Sequence, residues 1–167
     1  MIGMSIFSSI NNPGKPAEDQ LRKWLDKPEA GYSFDRIPDQ MTGKKGSTNI
    51  CDFVLFKSPY QYYIESKSTW EDRFNFSMLT DDQYKGLLKK SQIQNVFGVV
   101  VVLFASYQRA FIIDIREIDR LVQAGKKSLN IKKIDKWGIA YKEIQTIPSR
   151  KQYLDYIGEF EVEENQN

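Results

Sequence analysis

The first clear pattern along the chain is that of an amphipathic helix. Apolar residues recur at the spacing of one helix face between Leu21 and Leu25. They follow Pro16, a residue that suits the first turn of a helix, and we predict that this helix ends near Pro28 to Gly31. Glu18 and Asp19 are expected to complement the positive N-terminal end of its dipole.

Three short stretches rich in aromatic and β-branched residues follow the helix. They cover residues 32–37, 50–56 and 62–67 and are predicted to be strands. A polar loop over 38–49 separates the first two strands. Lys57-Ser58-Pro59-Tyr60 has the composition of a turn and indicates that the second and third strands form a hairpin.

The second half of the chain begins with residues 70–79, which we interpret as irregular. Thr80 is a predicted helix N-cap, and Gln83 stands three residues later as in a capping box. This helix is expected to end before Asn95. The remaining predictions are strands over 96–105 and 109–115, a helix over 118–123, a short strand over 141–147, a short helix over 151–157 and a frayed tail over 159–167.

The order α-β-β-β-α-β-β-α predicts an α/β fold, a mixed β-sheet flanked by helices. Residues 96–105 are apolar on both faces, which is typical of a central strand. The chain has 167 residues, of which 41% are hydrophobic, so one domain is expected. We predict a single domain over 1–157, with a core over about 11–121, and an acidic C-terminal tail over 158–167.

Histidine is absent from the chain. This excludes Ser-His-Asp and Cys-His hydrolases and ordinary zinc sites. Any metal would need mainly oxygen ligands, which favour Mg²⁺, with Mn²⁺ as a substitute. Cys51 is the single cysteine, so an internal disulfide is excluded and a reducing cytoplasm fits. No secretory signal or membrane-spanning stretch is evident, so we expect a cytoplasmic protein with no membrane partner.

The net charge of +2 hides a marked asymmetry along the chain. Residues 85–151 contain 14 Lys or Arg against 5 Asp or Glu, whereas residues 155–167 contain five acids and no base. A basic middle with an acidic tail fits a polyanionic partner such as DNA. A solvated, lysine-rich surface without such a partner would give the same pattern.

The predicted hairpin brings charged residues together. A turn centred between Ser58 and Pro59 would place Asp52 opposite Glu65 in an antiparallel pair. Two facing carboxylates repel each other and destabilise a sheet unless a positive group lies between them. Lys67 comes two residues after Glu65 and therefore points to the same side of the strand.

Two carboxylates in this arrangement can hold a divalent cation, with the backbone carbonyl of Ser66 and water molecules completing its ligands. Such a cation can lower the pKa of a bound water and stabilise charge on a phosphate. Lys67 can position the attacking water or stabilise the transition state. The alternative is that Lys67 only forms a surface salt bridge with one of the acids.

These residues resemble a known family. Asp52, followed by Glu65-Ser66-Lys67 on the next strand, resembles the PD-(D/E)XK nuclease superfamily, whose restriction-endonuclease-like αβββαβ core matches the predicted order. A closer resemblance is to the RecU-type Holliday junction resolvases of Gram-positive bacteria and their phages. It is carried by Asn12-Pro13-Gly14-Lys15-Pro16-Ala17-Glu18, by Arg36-Ile37-Pro38, by the spacing from Asp52 to Lys67, and by residues 76–83.

The resemblance implies a metal-dependent endonuclease that cleaves branched DNA in recombination and repair, acting as a homodimer on four-way junctions. Asp52 and Glu65 would bind Mg²⁺ and Lys67 would assist hydrolysis. Gln83 would orient water or phosphate, and Glu18 would be an outer acid. Helix capping alone remains the alternative for Gln83, as does a surface role for Glu18. Phosphate contacts are expected from Arg36, Lys44, Lys45, Lys85 and Lys89.

The chain departs from the family in two places. Ile50-Cys51 stands where a Ser or Thr usually precedes the first acid, and the loop over 38–49 is shorter than the family's projection. Gly43-Lys44-Lys45-Gly46 is either a reduced basic projection or an ordinary flexible loop. Nuclease chemistry is therefore better supported than junction preference. The alternatives are a nuclease acting on ordinary duplex DNA, a non-catalytic DNA-binding protein on the same fold, and a protein-interaction module with an aromatic surface.

Overall fold

The computed structural model describes residues 13–27, 31–38, 49–149 and 154–162. Three α-helices and nine strands alternate along these segments. In chain order they are α1 (Gly14–Leu25), β1 (Tyr32–Arg36), β2 (Phe53–Lys57), β3 (Tyr60–Thr69), β4 (Arg73–Asn75), α2 (Asp81–Ser91), β5 (Val96–Phe104), β6 (Arg109–Asp114), α3 (Ile115–Gln123), β7 (Ser128–Asn130), β8 (Lys142–Pro148) and β9 (Leu154–Ile157). Single 3₁₀ turns lie at Phe76–Met78, Ala105–Tyr107 and Ile131–Lys133.

Seven of the strands form one mixed sheet, in the order β1-β2-β3-β5-β6-β8-β9. β3 and β5 are parallel, and the other neighbours are antiparallel. α2 provides the crossover that a parallel pair requires. β4 and β7 form a separate two-stranded sheet. The predicted mixed sheet and αβββαβ order are therefore confirmed, with β4 as an extra short strand before α2.

The main sheet separates two hydrophobic cores. On one side, which we call the α1 face, α1 and the C-terminal strand pack on the sheet. On the other, the α2 face, the sheet is covered by α2, α3 and the small β4–β7 sheet. Successive residues of β5 enter the two cores in turn, Val99 and Val101 on the α1 face and Val100 and Val102 on the α2 face. The prediction that this strand is central is confirmed.

α2 lies unusually close to its neighbours. A Cβ atom on Gly98 would lie 2.5 Å from the carbonyl oxygen of Leu87, and one on Gly86 would lie 2.4 Å from Cγ2 of Ile50. The hydroxyl of Ser91 accepts a hydrogen bond of 2.9 Å from the backbone N–H of Gly98. The two glycines therefore fix the height of α2 above the sheet.

The predictions for the start of α1 are confirmed in part. The helix begins at Gly14, so Pro16 lies in its first turn as predicted, but that turn contains no acidic residue. The expected interaction of Glu18 and Asp19 with the helix dipole is therefore wrong, because the dipole acts mainly within the first turn. Asp19 instead forms an ion pair of 2.7 Å with Lys15.

Two regions predicted without strands contain them. Residues 70–79, interpreted as irregular, include β4 and a 3₁₀ turn. The short helix predicted over 151–157 is wrong, since Leu154–Ile157 is strand β9 and pairs with β8. Phe160, from the predicted frayed tail, is only 3% exposed, and its ring centroid lies 6.0 Å from that of Trp24.

The other predicted elements are confirmed with ends shifted by a few residues; α3, for example, begins at Ile115 rather than Ile118. No helix of the described segments is both long and apolar enough to cross a bilayer.

Candidate active site

The candidate site lies where the β2–β3 hairpin opens. Phe53 pairs with Ile64, as expected for a turn at Ser58-Pro59, whose peptide bond is cis. One step further out, the backbone N–H of Asp52 donates a hydrogen bond of 3.0 Å to the carbonyl of Ile64. That bond joins position 52 to position 64 rather than to 65, so the regular β2–β3 register ends at Phe53 and the predicted one-to-one facing of Asp52 and Glu65 is not continued. The two carboxyl groups are nonetheless neighbours, since each affects the pKa of the other.

Pairing with β2 stops at Phe53, whereas β3 continues to Thr69. The backbone of β3 therefore has no β2 partner beyond this point. The N–H of Ser66 uses the carboxylate of Asp52 instead, donating to Oδ2 at 2.8 Å. The end of strand pairing thus exposes main-chain groups to the Asp52 side chain and fixes its orientation.

Glu65 is 2% exposed and has an incomplete set of partners. Its Oε1 accepts hydrogen bonds from Lys67 Nζ at 2.9 Å and from Gln83 Nε2 at 2.8 Å. Its Oε2 is buried and has no hydrogen-bond partner among the described residues. Leaving a buried polar atom unsatisfied costs about 1–3 kcal/mol, and more if it is charged. This oxygen is therefore suited to an external cation or donor.

The pKa values of both carboxyl groups are raised, and burial is the largest cause in each case. Burial, and then the neighbouring Asp52, raise the pKa of Glu65 from 4.5 to about 8, although Lys67 opposes the shift. Burial also raises the pKa of Asp52; the N–H of Ser66 opposes this and the nearby Glu18 carboxylate adds to it. A buried acid beside a half-buried one, which resist ionising together, is a typical setting for a bound cation, which would favour both charged forms.

The side chain of Gln83 both caps helix α2 and contacts Glu65. Its side-chain Oε1 accepts a hydrogen bond of 3.0 Å from the N–H of Thr80, and its own N–H donates to the Thr80 hydroxyl at 3.2 Å. The predicted capping box is thus present. The amide nitrogen of the same side chain donates to Glu65. Capping and contact with the site, which the sequence left as alternatives for Gln83, therefore occur together.

Glu18 and Arg36 form a pair beside the site. Glu18 Oε1 lies 2.8 Å from Nη2 and 3.0 Å from Nε of Arg36. The influence of Glu18 on the pKa of Asp52 indicates that the two carboxylates are close. Arg36 was expected to contact phosphate, and in the structure its guanidinium is engaged by Glu18.

The remaining expected DNA contacts are four lysines. Lys85 and Lys89 are exposed on α2. Lys44 and Lys45 lie outside the described residues. Cys51 is buried next to the acids, and burial followed by their negative charge raises the pKa of its thiol to about 12. The thiol therefore remains protonated and does not act as a nucleophile.

The donor set fits a hard cation only if main-chain and water oxygens contribute. In the described segments, no three His, Cys, Asp or Glu side chains are grouped so that they could hold a metal ion. Asp52 and Glu65 supply two carboxylates. The Oε2 atom of Glu65 has no hydrogen-bond partner among the described residues and can therefore accept a ligand bond. Oxygen ligands of this type, completed by a carbonyl and water, are those that Mg²⁺ prefers.

An αβββαβ core with an aspartate where the second strand begins and Glu-Ser-Lys on the third defines the PD-(D/E)XK class of nucleases. The family described as "Recombination protein U", RecU, matches residues 40–160. The chain belongs to the RecU family, the Holliday junction resolvases that act as nucleases in recombination and repair. The match includes Asp52, Glu65, Lys67 and Gln83 and begins after α1, so the resemblance noted in α1 stays a prediction.

The chain is similar to Hjc from Archaeoglobus fulgidus, a Holliday junction resolvase from an archaeal hyperthermophile, with 20% sequence identity and a TM-score of 0.49. The likeness covers 71% of this chain and 89% of the Hjc chain. No curated protein matches the sequence significantly.

Proposed function

We propose that this chain hydrolyses phosphodiester bonds at four-way DNA junctions and that Asp52, Glu65 and Lys67 carry out the reaction. The observation that carries this proposal is the buried Glu65 carboxylate. It lies beside Asp52, shares one oxygen with Lys67 and Gln83, and has its other oxygen unpartnered among the described residues. A purely structural salt bridge would not need a second, half-buried acid beside it.

Asp52 and Glu65, together with the main-chain carbonyl of Ser66, would hold a hard cation, Mg²⁺ or in its place Mn²⁺. The carbonyl is a reasonable donor, because the N–H and C=O of a strand residue point to the same edge and the Ser66 N–H already faces Asp52. When bound, such an ion lowers the pKa of a water molecule and stabilises negative charge on a phosphate.

The other residues of the site have distinct roles in this proposal. The ammonium of Lys67 donates hydrogen bonds to the attacking water or to the developing charge on the phosphate. Gln83 holds Glu65 in its orientation through the 2.8 Å hydrogen bond. Glu18 is an outer acid, and its pair with Arg36 keeps a positive group near Asp52. Lys85 and Lys89 contact phosphates along α2 without reading sequence.

Membership of the RecU family supports a DNA junction as the substrate. We further propose a homodimer in which each subunit cuts one strand, working on DNA in the cytoplasm.

The test is cleavage of a four-way junction compared with linear duplex of the same sequence, with and without Mg²⁺. Asp52→Ala should lower cleavage more than about a hundredfold, because a metal ligand supports several kcal/mol of transition-state stabilisation. Junction binding measured in EDTA should be largely unchanged. Asp35→Ala, at an exposed acid on β1, is the matched control.

Undiminished cleavage by the Asp52 variant would contradict the assignment of the site. Equal cleavage of junction and duplex by the native chain would leave a nuclease but remove the junction preference.

A further inference from the structure

A second basic region of the chain forms an exposed surface around β7, outside the residues assigned to the active site. Residues 126–137 contain five lysines and one aspartate. All five lysines are exposed, and we call them the β7 lysine surface: Lys126, Lys127, Lys132, Lys133 and Lys136.

Neighbouring acids neutralise only part of this charge. Asp72 lies 3.8 Å from the ammonium of Lys132 and also pairs with Arg73 at 3.6 Å. Asp135 is within the surface and accepts a hydrogen bond from the hydroxyl of Tyr141. Both acids are therefore already engaged by other groups.

Three lysines of the surface keep an uncompensated charge. Lys127, Lys133 and Lys136 form no ion pair with any residue in the portion of the chain that the structure describes. Lys126 is also without an acidic partner there and lies over the ring of Trp137, 4.8 Å from its centroid. A concentration of unpaired lysines repels itself, and a polyanion relieves that repulsion.

The surface is rigidly attached to the α2 face. Leu129, Ile131 and Ile134 alternate with its lysines and are buried in the core of that face. The N–H of Phe76 donates to the carbonyl of Lys127 at 3.0 Å, which ties β7 to the turn before α2. A lysine surface on a packed backbone presents its charges at fixed spacing, unlike a lysine-rich tail.

A short stretch of chain links the active site to this surface. Arg73 pairs with Asn130 across the small sheet and comes six residues after Lys67. Six residues span at most roughly 20 Å of extended chain. One helical turn of duplex DNA is about 34 Å long. Lys136 is six residues beyond Asn130, which adds at most roughly another 20 Å. A duplex arm of two helical turns seated at the site is therefore long enough to reach the lysines.

We propose that the β7 lysine surface binds the phosphate backbone of the DNA arm next to the cleaved bond. The inference rests on the proposed function, since it takes the DNA to be held at Asp52 and Glu65. The contacts give affinity and register along the arm and do not depend on base sequence.

The test uses the triple variant Lys127→Gln, Lys133→Gln, Lys136→Gln. The matched control, Lys23→Gln, Lys57→Gln, Lys142→Gln, removes the same charge from lysines that already pair with the acids Asp155, Glu159 and Glu161. Binding to a four-way junction is measured in EDTA over a series of salt concentrations. EDTA prevents cleavage, so binding is observed alone.

The β7 variant should bind a junction with arms of about two helical turns at least tenfold more weakly. The slope of log affinity against log salt should fall by about 2 to 3, since each lost phosphate contact contributes about 0.9. The control should change affinity less than twofold. With arms of about half a turn, the difference between the two variants should disappear.

A second measurement needs no variant. In the native chain, bound DNA should protect Lys127, Lys133 and Lys136 from acetylation and leave Lys23 as reactive as before. The inference is overturned if the β7 variant binds the junction with the same affinity and salt dependence as the control. It is also overturned if bound DNA leaves these lysines open to acetylation. Loss of binding to phosphatidylserine vesicles with unchanged DNA binding would overturn it in favour of an anionic membrane.

The inference and the proposed function fail in different ways. If the native chain binds junctions through these lysines but cleaves nothing with Mg²⁺, the lysine surface stands and the nuclease proposal fails. If cleavage proceeds and the two triple variants bind alike, only the lysine surface is lost.

Discussion

The two faces of the sheet each bury one polar atom that has no partner among the described residues, but the atoms differ in kind. On the α1 face it is the amide oxygen of Gln20, whose amide nitrogen donates to the carbonyl of Leu154. On the α2 face it is a carboxylate oxygen of Glu65. A neutral amide is far less costly to leave incomplete than a carboxylate.

The surroundings of these atoms differ in the same way. The α1 face is closed by aromatic contacts, with Trp24 packed on Tyr156 at 5.7 Å and its indole N–H bonded to the carbonyl of Gly158 at 3.0 Å. The Glu65 side has a second acid, Asp52, and a lysine. The α1 face is therefore stabilised by closed packing around Gln20. On the α2 face, the unsatisfied carboxylate of Glu65 lowers stability at the proposed catalytic site. The comparison predicts opposite responses to substitution on the two faces.

The largest effect is expected at Glu65. Glu65→Gln should lower Mg²⁺-dependent cleavage by more than about a hundredfold, because a ligand charge is lost. Its thermal midpoint without metal should stay equal or rise, since a buried acid is replaced by a neutral group of the same shape. Calorimetry and junction cleavage measure the two quantities. Glu71→Gln, at an exposed glutamate, is the control, and a large loss of stability at Glu65 would break the comparison.

The reverse behaviour is expected on the α1 face. Phe160→Ala removes a ring that is 3% exposed and should lower the free energy of unfolding by about 3 kcal/mol, or roughly a hundredfold in the folding equilibrium. Cleavage per folded molecule should not change. Urea unfolding gives the first quantity, and Phe56→Ala, at a ring that is 40% exposed, is the control. A loss of cleavage without a loss of stability would contradict the division between the faces.

A smaller effect separates the two contacts of Gln83. Gln83→Glu keeps an oxygen for the capping box but replaces the donor to Glu65 by a negative charge. Cleavage should fall about tenfold while helix content by circular dichroism is retained, because one hydrogen bond of about 1.4 kcal/mol is lost. Gln83→Ala removes the capping oxygen as well as the donor, so both cleavage and helix content should fall. If Gln83→Glu cleaves normally, the residue serves capping alone.

The smallest expected effect is on the pH dependence of stability without metal. The pKa of Glu65 is about 8 in the folded chain against 4.5 ordinarily, so between these values the folded state binds more protons than the unfolded state. Stability should therefore fall by a few degrees in thermal midpoint as the pH rises from about 5 to 8. Glu65→Gln should weaken this slope. A midpoint that rises over the same range would contradict the raised pKa.

Much of the site could be predicted because its parts are local. A tight turn and the two-residue period of a strand bring Asp52 close to Glu65, and the capping box at Thr80 spans only four residues. The end of regular pairing at Phe53 has no local signal. The contact of Gln83 with Glu65 could not be predicted with certainty, since it depends on how α2 docks.

The errors lie where three-dimensional packing outweighs local pattern. β4 and β7 have three residues each, too few to show a period. In the segment predicted as a helix, Leu154 and Ile157 have helical spacing, but Leu154 and Tyr156 are the buried pair, because β8 offers a strand edge and Trp24 an aromatic partner. The pairing of Glu18 with Arg36 joins residues far apart in the chain and carries no local signal.

The close seating of α2 on Gly86 and Gly98 has a practical consequence. The amide of Gln83 that binds Glu65 belongs to the first turn of that helix, so its position depends on two residues that have no side chain and lie outside the acid–lysine set. A protein engineer could detune the hydrolysis by adding one methyl group at residue 86, leaving every acid and lysine of the cleft as it is.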